Sequence, residues 1–151
     1  MKVTKASQKG LDLIKRFEGL KLKPYLCPAS IWTIGYGNTY YPSGAKVKPT
    51  DPAITQIVAE ALLKFLLGSY EKSVDSFCRD DINQNQFDAL VSFAYNCGVN
   101  NLKSSTLLKK VNANPNDPTI KAEFLKWNKA NGRVLAGLTK RRQAEADLYF
   151  S

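Results

Sequence analysis

A chain of 151 residues with 44% apolar content is the size of one ordinary domain and can bury a core without disulfides or metals. It contains no histidine, which excludes Ser-His and Cys-His nucleophilic machinery and every His-ligated metal centre. The net charge of +9 favours polyanionic partners without choosing among them.

Residues 1–16 carry four lysines and one arginine but no long apolar run, so neither a signal peptide nor a membrane anchor is expected there. Ser7 precedes a short helical pattern in which Leu11, Ile14 and Phe17 share a face. Gly19 is its stop signal, after Glu18. Between residues 20 and 45, Tyr25, Ile31, Trp32, Ile34, Tyr36, Tyr40 and Tyr41 alternate with glycines and prolines. Short strands and turns, hence a small antiparallel sheet, fit that stretch.

Thr50 or Asp51 caps the next predicted helix, with Pro52 at its first helical position. Ile54, Ile57, Val58, Ala61, Leu62, Phe65 and Leu66 form its apolar face, and Gly68 marks a point where it can bend before Val74 and Phe77. Short helices follow: residues 84–97 with Phe87, Leu90, Val91, Ala94 and Tyr95 on one face, then a helix capped by Ser104 or Ser105 and running through Val111. After a loop at 112–118 come helices at 119–128 and 138–150, separated by Asn131-Gly132. The expected class is α+β: an N-terminal lobe with the sheet (about 12–50), a linking helix (about 52–78), and a helical lobe (about 79–151) that also takes the N-terminal helix.

Cys27, Cys78 and Cys97 are odd in number and form no C-x-x-C motif, so reduced thiols are expected. Glu18 lies where a helix should end and a sheet begin, and the next 32 residues hold no other acid. Position alone makes it a solvated or ion-paired helix-end glutamate. Desolvation among aromatics would instead keep it protonated, as a general acid requires, while nearby lysines would oppose that.

Phe17-Glu18-Gly19-Leu20-Lys21-Leu22-Lys23-Pro24-Tyr25, followed by Trp32-Thr33-Ile34-Gly35-Tyr36-Gly37, resembles the active-site region of phage-type lysozymes. These are the endolysins of glycoside hydrolase family 24, whose signature is Glu, eight residues, Asp or sometimes Cys, five residues, Thr. Glu18, Cys27 and Thr33 meet that spacing. The similarity extends through Gln84–Phe93, Ser105–Leu108 and Gly137–Ala146.

The resemblance implies a lysozyme-like fold and hydrolysis of the β-1,4 bond between N-acetylmuramic acid and N-acetylglucosamine. Glu18 would protonate the leaving oxygen, and Thr33 would help to hold the attacking water. Cys27 replaces the commoner aspartate. A thiolate there could act as base, stabilise positive charge or attack the sugar, with Lys21 and Lys23 able to lower its pKa; the plain alternative is a small cysteine packed under the sheet. The resemblance also places Gly37, Tyr95, Asn96 and Ser105 along the glycan cleft. Tyr95 as core and Ser105 as a helix cap are the competing readings. Asn38 stands where many relatives have histidine, a difference that bears on stability more than on catalysis.

Gly35-Tyr36-Gly37 lacks the features of a phosphate loop and reads as a hairpin turn. Lys140-Arg141-Arg142 reads as a solvated basic run, in which Arg142 and Glu145 can pair, or as a grip on peptidoglycan carboxylates. Trp32 and Trp127 read as packing residues that could also stack on sugars. No metal or cofactor is expected. The expected partner is bacterial peptidoglycan, reached from the host cytoplasm through a holin's membrane holes by a monomer that neither inserts stably in membrane nor binds nucleic acid. A lytic transglycosylase cutting the same bond, a non-catalytic glycan-binding protein on the same fold, and a nucleic-acid-binding module are the alternatives; no nucleic-acid-reading motif supports the last.

Overall fold

The computed structural model describes residues 2–151. The chain divides into two compact units, one spanning Ile14–Gly68 and the other formed by Ser69–Ser151 with the N-terminal residues through Leu13. Helices α1 (Gln8–Glu18) and α2 (Gln56–Phe77) each run from one unit into the other.

In the unit Ile14–Gly68, α1 gives way to strands β1 (Lys21–Leu26) and β2 (Trp32–Gly35), which pair antiparallel. The core here is Ile34, Val47 and Leu62, with Tyr41 and Ile54 packed on it. Mixed helix and small antiparallel sheet is thus the architecture, as the sequence indicates.

Helix α2 starts at Gln56 rather than beside Pro52. Asp51 does not cap it: its Oδ2 accepts from the Tyr41 hydroxyl at 2.7 Å and from the Lys48 amide at 2.9 Å, tying down a turn. Thr55 takes the capping position, its Oγ1 accepting from Val58 N at 3.2 Å. The buried face of α2 also differs from the expected one. Ile57 is 83% exposed, and Val58, Ala61 and Phe65 are exposed too, whereas Ala59, Leu62, Leu63, Leu67 and Val74 are buried. A stripe at spacings of three, four and seven fits either choice in so apolar a helix, and packing selects one.

In the other unit, α3 (Gln84–Cys97) begins with a capping box in which Asn83 and Gln86 exchange hydrogen bonds. Its residues Gln86 through Ala94 are buried on every side rather than along one face, because α4 and α7 both pack on it. Gly98, at φ +96°, turns the chain into α4 (Val99–Ser104), a helix that periodicity did not reveal. Helices α5 (Thr106–Ala113) and α6 (Ile120–Leu125) follow. Asn131 and Gly132, both at positive φ, close a hairpin of β3 (Lys129–Ala130) and β4 (Arg133–Val134) before α7 (Ala136–Tyr149). Phe93, Phe124, Trp127 and Tyr149 meet edge-to-face in the core of this unit. No helix among the described residues is long and apolar enough to cross a membrane.

Candidate active site

Glu18 is the last residue of α1. The helix stops because Gly19 adopts φ +73°, and the Gly19 amide donates to Lys15 O at 3.2 Å. A Cβ on Gly19 would meet nothing within 4 Å, so its left-handed backbone, and not crowding, is what calls for glycine there. Glu18 is half-buried, one short turn before β1.

The β1–β2 hairpin sets Tyr25 opposite Thr33 and Leu26 opposite Trp32. Residues opposite one another share a face of the sheet, and neighbours along a strand alternate. Leu26 and Trp32 therefore share one face and are exposed; Tyr25 and Thr33 share the other, where Thr33 is buried. Cys27 follows Tyr25 by two positions, and its amide continues the ladder by donating to Ile31 O at 3.1 Å. That places Cys27 on the side of Tyr25 and Thr33. The turn is completed by Ser30 at φ 61°, with the Ser30 amide donating to Cys27 O at 2.8 Å.

This turn acts on the Cys27 sulfur as an anion cradle. The Ile31 amide lowers the thiol pKa most, the Ala29 amide and the Thr33 hydroxyl add to it, and partial burial opposes them. The expectation that Lys21 and Lys23 would do this is replaced by hydrogen bonds; both lysines are exposed. Thr33 has one hydroxyl proton for two acceptors, because its Oγ1 also lies 2.9 Å from Ile31 O. When the proton points to Ile31, the Thr33 lone pairs are available to a donor such as water. Tyr25, half-buried on the same face, has its phenol pKa raised by burial first, then by negative charge at Cys27 and at Glu18.

Gly37, at φ +106°, sits with Gly35, at φ +68°, inside a turn locked by reciprocal backbone bonds between Ile34 and Asn38 at 2.9 and 3.0 Å. Tight-turn geometry accounts for both glycines. Asn38 is fully buried, and its Nδ2 donates to Leu62 O of α2 at 3.1 Å, a structural bond within this unit.

Tyr95, Asn96 and Ser105 belong to the other unit. Tyr95 is half-buried with its ring edge-to-face against Tyr70, centroids 5.2 Å apart, and Asn96 is exposed beside it at the end of α3. Ser105 is buried and caps α5: its hydroxyl donates to Leu102 O at 2.7 Å and accepts from Leu108 N at 3.0 Å. The basic run resolves into two kinds of residue. Lys140 is exposed, but Arg141 and Arg142 are buried around Glu145 and Ser92, so they form an internal ion cluster and no surface grip. The i, i+3 spacing of Arg142 and Glu145 was the available signal for that pairing. Cys27, Cys78 and Cys97 are all unbonded thiols. No group of three or more Cys, Asp or Glu suited to a metal ion occurs among the described residues.

Residues 15–145 match the family model described as Phage lysozyme. The chain is 46% identical over 147 residues to an endolysin of Bacillus phage B103, covering 96% of this chain and 54% of that protein. It is 44% identical over 149 residues to an endolysin of Acyrthosiphon pisum secondary endosymbiont phage 1, covering 96% and 97% respectively. It thus spans about half the length of the Bacillus phage relative and nearly all of the second. The solved endolysin from Escherichia coli O157:H7 phage FAHEc1 superposes with a TM-score of 0.88 at 37% identity, covering 99% of this chain and 96% of the other. These matches, spanning almost every residue from Lys15 to Glu145, establish that the chain belongs to the phage lysozyme family.

Proposed function

We propose that this chain is an endolysin that hydrolyses the β-1,4 bond between N-acetylmuramic acid and N-acetylglucosamine in bacterial peptidoglycan, and so lyses the host cell. Membership of the phage lysozyme family and relatives named endolysin support the substrate class. The observation that carries the chemistry is the cradle of amide and hydroxyl donors around Cys27, on the hairpin face it shares with Thr33 in the unit that also holds Glu18.

In this reading Glu18 gives its proton to the glycosidic oxygen as the bond to the muramic acid C1 breaks. Thr33 accepts a hydrogen bond from a water on the opposite face of the ring. Cys27, as thiolate, takes a proton from that water as its oxygen bonds to C1. The products are a reducing muramic acid end and a free N-acetylglucosamine hydroxyl. One proton remains on Cys27, and its return to Glu18 through solvent resets the enzyme. Gly37, Tyr95 and Asn96 contact the glycan, and Ser105 shapes its site by capping α5. The chain works as a monomer and reaches the wall from the host cytoplasm through a holin's membrane holes.

The test is a turbidity assay on permeabilised cells. Glu18→Gln should lose at least about a hundredfold of the lytic rate. Equal lysis by the two proteins overturns the reading. Mass spectrometry of the digest should show reducing ends; anhydro-muramic ends would mean a lytic transglycosylase instead.

A further inference from the structure

The hairpin face that carries Cys27 and Thr33 holds a third polar side chain, Tyr25, to which neither spacing nor family signature assigns a role. Its place follows from register. Tyr25 is the direct cross-strand partner of Thr33, and Cys27 is its i+2 neighbour on a ladder that the Cys27–Ile31 bond prolongs. A residue so placed flanks both.

The residue is half-buried. Glu18, at the end of α1, and Cys27, in the hairpin turn, are the two charged groups that act on this phenol. The lysines of the same strand, Lys21 and Lys23, are exposed. Burial first, and then the negative charge at Cys27 and at Glu18, raise the phenol pKa above its ordinary value, so at neutral pH it is a donor and never a competing anion.

We infer that Tyr25 is a positioning residue for the reaction: its hydroxyl dipole stabilises the anionic form of Cys27 from the hairpin face they share. This rests on the proposed role of Cys27. The thiolate carries the negative charge until the water is activated, and a neutral donor on the same face eases that state.

Removing the hydroxyl must weaken the Cys27 acid. Tyr25→Phe should move the Cys27 limb of the pH–kcat/KM profile to higher pH by roughly 0.5–1 unit, with a fall of about 3- to 10-fold at the wild-type optimum. The pH dependence of Cys27 alkylation, read by peptide mass spectrometry, should shift upward in parallel without any reference to turnover. Should Tyr25→Phe fail to fold, 3-fluorotyrosine at position 25 keeps the shape and strengthens the donor, and must shift the alkylation curve downward. A profile and an alkylation curve that superimpose on wild type overturn the inference, as does a rate loss that is uniform with pH. Glu18→Gln is measured alongside. If it stays active, the proposed reaction itself fails; if it is inactive while Tyr25→Phe matches wild type, only the role of Tyr25 fails.

Discussion

Arg142 Nε lies 2.6 Å from Glu145 Oε1, and both side chains are wholly buried. Around them, Arg141 Nε stands 3.4 Å from Glu145 Oε2, Ser92 Oγ donates to the same oxygen at 2.6 Å, and Arg142 Nη1 is 2.6 Å from Cys97 Sγ. The cluster thereby ties α7 to the end of α3 that carries Tyr95 and Asn96. Breaking a buried ion pair from one side strands the other charge. Glu145→Ala should cost about 3–5 kcal/mol of unfolding free energy. Urea denaturation checks it; a loss under about 1 kcal/mol would show that the cluster is hydrated and contributes little.

The three thiols should separate by reactivity. Hydrogen-bond donors in the turn lower the Cys27 pKa, whereas burial pushes Cys78 up to about 12 and also raises Cys97. Of the three, Cys27 therefore carries the largest thiolate fraction at a given pH, so limiting iodoacetamide should modify it first. Equal labelling of all three in the folded protein would contradict the cradle.

Substitution at Cys27 tests its chemical part. Cys27→Ala should lower the lytic rate by about 10²-fold or more, and Cys27→Asp should retain much of it, since a carboxylate is also a base. Cys27→Ser, with an alcohol at that position, should resemble alanine. Full activity of Cys27→Ala would leave the cysteine a packing residue only. If Cys27 is a base, the first-formed product anomer, followed by NMR, is inverted; retention would make it a nucleophile.

The Tyr41–Asp51 hydrogen bond should be lost at both extremes of pH. The Asp51 pKa is lowered, first by the Lys48 amide and then by the Tyr41 hydroxyl. Its contribution is present above the ordinary aspartate range, near 3.8, and fades as pH falls through the lower folded value. Tyr41 is raised to about 12, by burial and then by Asp51, so its contribution is present below about 10 and lost as pH rises through about 12. Thermal melts of Asp51→Asn should lack the wild type's corresponding acid-side decline. Spectrophotometric titration of Tyr41→Phe should lack one late-ionising phenol.

Two glycine-to-alanine changes should act in opposite directions. A Cβ on Gly10 would lie 2.9 Å from Asp88 Cγ and 3.0 Å from its Cβ. Asp88 is fully buried and held by the Ser7 amide at 2.9 Å and by Gln84 Nε2 at 2.8 Å, so it has little room to yield. Gly10→Ala should destabilise by about 1–3 kcal/mol despite the better helix propensity. Gly68, within α2, has nothing within 4 Å of its would-be Cβ. Gly68→Ala should stabilise by about 0.5–1 kcal/mol. Differential scanning calorimetry of the two variants reads both signs.

Local chemistry made much of this protein legible in its sequence. Gly19 ends α1 at Glu18 because only glycine takes that φ without strain, and Gly35-Tyr36-Gly37 turns for the same reason. The Glu18, Cys27 and Thr33 spacing marks three candidates, but spacing is silent on what surrounds them. Tertiary structure decided the rest, because the deciding groups lie far apart in the chain or compete for the same partner. Asp51 has the sequence of a helix cap, yet the Tyr41 hydroxyl and the Lys48 amide claim its carboxylate, and α2 starts later. Arg141 and Arg142 have the sequence of a solvated run, yet both pair with Glu145 inside the core, and Arg141 also hydrogen-bonds to Ser92. At Cys27, the sequence supplied the residue and suggested lysines as the source of its acidity. Strand register instead brings the Ile31 and Ala29 amides and the Thr33 hydroxyl to the sulfur, and these hydrogen bonds outweigh charges on solvated side chains.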